Sequence, residues 1–199
     1  MRQCTNRSDQ RQQLRARRRA LSDSERLQRS QALCRQLSRQ ALFRSSHNIA
    51  AYLPADGEVE TQPLIELAWR MGKQVYLPVL VPFSSNRLWF ARLQPDTRLV
   101  SNRYGIAEPE LVHRQRIVPQ ALDIVLAPLV GFDRDGNRLG MGGGFYDRSF
   151  AYLLRRKHWR KPRLIGLAYG FQRLPRLPVQ PWDVPLTAVA TESDWYRFC

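Results

Sequence analysis

The chain has 199 residues, 43% apolar and 25% charged, a composition that supports a packed core and excludes a disordered chain. Its 32 basic and 17 acidic residues leave a formal charge of +15, the footprint of a polyanion binder. Only Lys73, Lys157 and Lys161 are lysines, so arginine-rich composition alone also explains the charge, and that reading is preferred.

Cys4, Cys34 and Cys199 lack metal-ligand or C-x-x-C spacing, which argues against a disulfide framework or cysteine metal site and fits a cytoplasmic location. The start is polar and arginine-rich, and no apolar run approaches the roughly 20 residues a membrane span needs. Neither export nor anchoring is expected.

From Arg11 to Phe43 there is no Gly or Pro, and Leu14, Leu21, Leu33, Leu37 and Ala41 recur at helical steps. Two helices are expected, parted near Leu21, because Ser22 and Glu25 form a capping box that starts the second at about Asp23. His47 to Leu53 and Gln74 to Leu80 read as strands joined by a helix that opens at Pro63 and ends near Gly72. A possible edge strand, Leu88 to Leu93, follows the Ser- and Asn-rich loop at residues 84 to 86. The most apolar segment, Asp123 to Val130, reads as a strand buried on both faces. After a glycine-rich loop come a helix from about Phe145 to Arg156, a strand at Leu164 to Tyr169 and a last strand near Thr187 to Ala190. This alternation predicts a three-layer α/β/α fold with a largely parallel sheet, in a single domain over residues 1–199 with a basic helical segment at about 8–44.

The stretch that carries chemistry is GFDRDGNRLGMGGGFYDR, residues 131–148, between the most buried strand and a helix. At the carboxyl end of a parallel strand, a helix start offers free N–H groups and a positive dipole end to an anion. Gly140, Gly142, Gly143 and Gly144 remove side chains that would keep a polyphosphate off that backbone, and Arg138 adds a forked cation. Glycines also make ordinary turns, and the stretch is neither a Walker A motif nor a dinucleotide fingerprint. Asp147 reads either as a carboxylate favoured by the helix dipole or as a Mg²⁺ ligand beside phosphates. Asp183, in the loop PVQPWDVP, completes such a site only if the fold brings it near. Phe145, Tyr146 and Trp182 are candidates for stacking on a flat ligand, although aromatics near a helix start more often serve the core.

The segment Gly136 to Asp147, with Arg-Leu-Gly-x-Gly-x-Gly-aromatic-Tyr-Asp at its heart, resembles the signature of the 5-formyltetrahydrofolate cyclo-ligase family, also called methenyltetrahydrofolate synthetases. The resemblance extends to Arg11-x-x-Leu14-Arg15, to Tyr52-Leu53-Pro54 leading into Glu58-Val59-Glu60-Thr61, to Pro128-x-x-Gly131-Phe132-Asp133, and to Pro178 with Asp183. It implies a fold of the ribose-5-phosphate-isomerase kind and an ATP- and Mg²⁺-dependent cyclisation of 5-formyltetrahydrofolate. The ATP contacts it implies are Arg11, Gln12, Gln13, Leu14, Arg15, Arg138, Leu139, Gly140, Met141, Gly142, Gly143, Gly144, Phe145 and Tyr146. The implied folate contacts are Leu53, Glu58, Met141, Gly142, Gly143, Gly144 and Phe145; the implied metal ligands are Asp147 and Asp183, with Arg138 the catalytic cation. Two other readings stay open: a nucleic-acid-binding protein using Arg15, Arg17, Arg18 and Arg19, and a sugar-phosphate isomerase on the same fold.

Overall fold

The computed structural model describes residues 6–80, 87–110, 116–156 and 161–198; Cys4, Cys199, Lys157 and the loop at 84–86 lie outside them. Three helices open the chain, α1 (Arg7–Arg19), α2 (Asp23–Ser38) and α3 (Ala41–Ser45). The break between the first two is the expected one. Glu25 N–H donates to the Ser22 hydroxyl and the Glu25 carboxylate accepts the Ser22 N–H at 2.9 Å, so both free amides are satisfied. Then follow β1 (Asn48–Ala50), α4 (Gln62–Arg70, with Pro63 in its first turn), β2 (Gln74–Leu80) and β3 (Leu88–Leu93). Next come β4 (Leu99–Ser101), β5 (Ala107–Pro109), β6 (Arg116–Ile117), β7 (Ile124–Pro128), β8 (Gly131–Phe132) and β9 (Arg138–Leu139). The chain closes with α5 (Phe145–Phe150), β10 (Arg163–Leu167), β11 (Ala188–Ala190) and β12 (Trp195–Arg197).

Eight strands form the main sheet in the order β12-β11-β10-β7-β1-β2-β3-β6, parallel from β11 to β2 and antiparallel at both margins. One face packs on Leu33 and Leu37 of α2, Phe43 of α3, and Leu64 and Ile65 of α4; the other packs on Phe150, Tyr152 and Leu153. This is the expected three-layer α/β/α arrangement, its second helical layer thin. As expected, Ile124 to Ala127 of β7 are buried throughout.

Three expectations change. The strand at Ala188–Ala190 is not the last, because β12 pairs antiparallel outside it. The strand Leu88–Leu93 is not an edge, because β6 pairs outside it through Phe90↔Ile117 and Ala91↔Arg116. The helix from Phe145 tightens to 3₁₀ winding at Ala151, which sets Phe150 and Leu153, three residues apart, on one core-facing side.

The topology fixes where a ligand crevice lies. From β1 the chain first adds β2 on one side and later adds β7, β10 and β11 on the other, so the order reverses between β1 and β7. In open parallel sheets the crevice opens outside the carboxyl ends of the strands at that reversal. The loop after β1 carries Leu53 and Glu58, and the chain after β7 carries the glycine loop.

Candidate active site at the switch point

Helix α1 spans the two loops with one stripe of side chains, Arg7, Arg11, Leu14, Arg15 and Arg18, spaced by threes and fours. Leu14, 8% exposed, packs with Val130, Leu139 and Leu177, and Gly131 lets it approach, since a Cβ there would lie 2.9 Å from Leu14 Cδ1. With that anchor in place, Arg7 Nη2 donates to Asp183 at 3.2 Å and Arg11 Nε to the Gly140 carbonyl at 2.8 Å. Burial and then the neighbouring Arg7 lower the basicity of Arg11, with Asp183 opposing, so these three charges share one neighbourhood.

The far end of α1 grips the loop after β1. Arg15 Nε and Arg18 Nη2 each donate to Asp56 Oδ2 at 2.7 Å, and Arg19 donates to Oδ1. Burial opposes ionisation of Asp56, but the hydrogen bonds from the arginines outweigh it and hold the carboxyl well below the usual range. Glu58 is 9% exposed, accepts the Ala55 N–H at 3.2 Å and lies 3.7 Å from Arg18. Burial raises its carboxyl from 4.5 to about 7, against the pull of Arg18.

On the glycine-loop side, Arg138 is buried, donating to the Val184 carbonyl at 2.8 Å and to Asp147 Oδ1 at 2.5 Å. The Val184 N–H also donates to Asp147 Oδ1, at 3.1 Å. The residue next to Asp183 is thereby fastened to Asp147, and the fold brings the two acid-bearing segments together. Asp147 is therefore more than a dipole partner: it is the charged acceptor of a buried arginine. Asp183 itself accepts from Arg7 and the Gln180 N–H. Gly142 and Gly144 have φ of +106° and +65°, a region favourable to glycine, and no side chain caps α5. Burial, then Glu58, raise the Tyr146 hydroxyl, and Arg138, whose guanidinium lies 5.9 Å from the centre of the ring, lowers it.

The other expected site residues differ in burial. Gln12, Gln13 and Met141 are exposed, and Leu139 is buried in the small core under α1. Trp182 is 62% exposed, while Phe145 and Tyr146 pack against the core on the α5 face. The four arginines of the nucleic-acid reading all make contacts within the chain: three on Asp56, and Arg17 4.5 Å from the centre of the Phe171 ring. Two clefts of about 480 and 490 Å³ lie away from this cluster, beside Asp23 and Glu66 and beside Arg87 and Tyr152. The converging charges at the switch point, not cleft size, mark the site.

The model of the 5-formyltetrahydrofolate cyclo-ligase family matches residues 3–192 of the chain. The chain belongs to that family. The cyclo-ligase of Escherichia coli K12 is 44% identical over 180 residues, covering 90% of this chain and 97% of that one. That of Mus musculus is 31% identical over 92% of each. The solved 5,10-methenyltetrahydrofolate synthetase of Aquifex aeolicus superposes with a TM-score of 0.80 at 33% identity, over 96% of this chain and 92% of that one.

In this cyclo-ligase-family chain the structure adds Arg7 and Asp56, which the sequence did not single out, and gives Arg18 and the buried Asp133 contacts that it did not foresee. Asp133 accepts the N–H groups of Asp135 and Asn137 at 3.0 Å and of Leu177 at 2.9 Å, shaping the turn that precedes Arg138. The Asp56-Gly57 pair was the readable signal among them. Both residues have positive φ, 53° and 73°, the backbone that Asp-Gly favours in a tight turn.

Proposed function

We propose that the chain performs the reaction for which its family is named, ATP-dependent conversion of 5-formyltetrahydrofolate to 5,10-methenyltetrahydrofolate with release of ADP and phosphate, where α1 meets the loops after β1 and β7. One observation carries the reading: a single helix face bonds the glycine loop through Arg11 and flanks the folate-side carboxylate Glu58 through Arg18. Arg7, Arg11, Arg15, Arg18, Arg19 and Arg138 face Asp56, Glu58, Asp147 and Asp183, a local excess of two positive charges that favours a polyphosphate.

In this reading the nucleotide lies against Arg11, Leu14, Arg15 and the loop from Arg138 to Tyr146. The folate lies against Leu53, Glu58 and the glycine loop, with ionised Glu58 accepting hydrogen bonds from pterin N–H groups. The formyl oxygen attacks the γ-phosphorus as the bond to ADP breaks. N10 then attacks the activated carbon, the carbon–oxygen bond breaks with phosphate leaving, and N10 loses its proton. The protein's task is alignment and charge stabilisation, and Arg138 is the cation assigned to the phosphoryl group in flight.

Asp147 and Asp183 are proposed to hold Mg²⁺. No group of three metal-ligating side chains occurs among the described residues, but Mg²⁺ in phosphate sites commonly takes one or two carboxylates and fills its shell with phosphate and water. Two hard oxygen donors on adjoining segments fit that demand, and the Asp147 side chain is 24% exposed. When bound, the ion supplies charge neutralisation on the phosphates. A cytoplasmic location is part of the same proposal, and no described helix is long and apolar enough to cross a membrane.

An isotope experiment tests the chemistry. With ¹⁸O in the formyl group, the released phosphate is expected to carry the label; label appearing in water and not in phosphate contradicts phosphorylation of the formyl oxygen.

A further inference from the structure

We propose that Asp56 and Arg18 form a positioning pair that mounts nucleotide-side Arg15 and folate-side Glu58 on one support, so that residues touching neither substrate set the binding of both. The inference rests on the reading of Glu58 as the pterin contact.

The geometry is specific. The Arg18 side chain is 1% exposed, and every nitrogen of its guanidinium has an acceptor or a counter-charge. Nε donates to the Asp56 carbonyl at 2.8 Å and Nη2 to Asp56 Oδ2 at 2.7 Å. Nη1 donates to the Leu129 carbonyl at 3.3 Å and lies 3.7 Å from Glu58 Oε1. One planar group thus ties α1, the loop after β1 and the end of β7 at the point where the strand order reverses. The Asp56-Gly57 turn packs closely on the Arg18 backbone: a Cβ on Gly57 would lie 3.0 Å from the Arg18 carbonyl oxygen. Asp56 Oδ2 also receives Arg15, so a single carboxylate oxygen holds both the arginine read as a nucleotide contact and the one beside Glu58.

Burying such a group is costly, and an apolar replacement often stabilises a fold as well or better. A pair kept at the ligand crevice, in contact with the folate-side acid, is therefore better explained by position than by stability. The groups acting on Glu58 are Arg18, the Ala55 N–H, Asp56 and Arg15; Tyr52 and Tyr146 also lie near it, and the Tyr169 hydroxyl donates to its carbonyl at 3.2 Å. Asp56 raises the Glu58 carboxyl, whereas Arg18 and Arg15 lower it.

The test is steady-state kinetics for both substrates across pH 5.5 to 8.5, with melting temperatures, in Glu58→Gln, Asp56→Asn, Arg18→Lys, Arg18→Met and Arg15→Ala. Asp56→Asn is expected to raise the KM for folate and the KM for ATP together by about tenfold or more, the scale of losing a charge-assisted hydrogen bond. Arg15→Ala is expected to raise the KM for ATP far more than the KM for folate. The inflection in the folate KM against pH should move to acid in Asp56→Asn and to alkali in Arg18→Met, and should stay in place in Arg18→Lys. A purely structural role predicts no such opposed shifts. Should Arg18→Met fail to fold, Asp56→Asn and Arg18→Lys decide the question. A change in one KM only, or shifts of the same sign, overturns the proposal. An unchanged folate KM in Glu58→Gln overturns the reading of Glu58 and the proposal with it; a raised one there, with none in Asp56→Asn, overturns the proposal alone.

Discussion

Replacing Glu58 by Gln removes a charge that the fold holds at a cost. The carboxyl titrates at about 7 in the folded chain against 4.5 ordinarily, chiefly because burial disfavours its charged form. Below about pH 4.5 it carries its proton in both states and the fold loses nothing. As pH rises from 4.5 to about 7 the unfolded chain releases the proton first, so stability falls, and above that window the loss stays constant. A shift of this size corresponds to about 3 kcal/mol at most. Glutamine has the shape of the protonated acid and avoids this loss. Glu58→Gln should therefore melt higher than the parent at pH 8, by up to about 10 °C for a chain of this length, and at the same temperature as the parent at pH 4.5. The folate KM of the same variant should rise, since the amide is not the anionic acceptor the pterin N–H groups meet. Thermal melts at the two pH values, paired with folate kinetics, measure both effects. A variant that melts lower at pH 8, or a difference that ignores pH, refutes the reasoning.

Arg138→Ala should lower kcat on the order of 100-fold while moving the folate KM much less, because its charge matters most during phosphoryl transfer; an unchanged kcat removes its role. Asp147→Asn should destabilise by about 1–3 kcal/mol, since Arg138 loses its charged acceptor, so the metal role is read from the Mg²⁺ concentration giving half-maximal turnover. That concentration should rise in Asp147→Asn and in Asp183→Asn, with the double variant losing less than the two effects combined; unchanged Mg²⁺ dependence contradicts the shared site. Leu14→Ala should cost about 2–3 kcal/mol in denaturant melts by emptying the seat of α1, and should raise the KM for ATP as Arg11 and Arg15 lose their support. Gly144→Ala should cost about 1 kcal/mol because its φ of +65° suits glycine; a melt matching the parent's contradicts that reading of the turn.

Local patterns were legible in the sequence, and distant contacts were not. The strands Gln74–Leu80 and Leu88–Leu93 stand where the reading put them, because their apolar content and flanking turns are local properties. The Ser22–Glu25 box likewise fixed the start of α2. The hairpin of β4 and β5 and the three-residue edge strand β12 gave too short a pattern to read. At the site, the glycine loop was visible as composition, and its strand-end position follows from the topology. What the arginines of α1 do was not visible. Arg11 meets Gly140 and Arg7 meets Asp183 across 129 and 176 residues, and no spacing rule spans such separations. Of the four arginines in the nucleic-acid reading, Arg15, Arg18 and Arg19 bond Asp56 in the chain's own loop and Arg17 lies over the Phe171 ring.

The cluster is proposed to convert 5-formyltetrahydrofolate at the expense of ATP. The most direct measurement follows the near-ultraviolet absorbance of 5,10-methenyltetrahydrofolate in purified protein with 5-formyltetrahydrofolate and Mg²⁺, before and after ATP is added, with ADP counted in parallel. No product is expected before ATP and, after it, one ADP formed per methenyl group. Product without ATP, or ATP consumed with no methenyl product, contradicts the proposal.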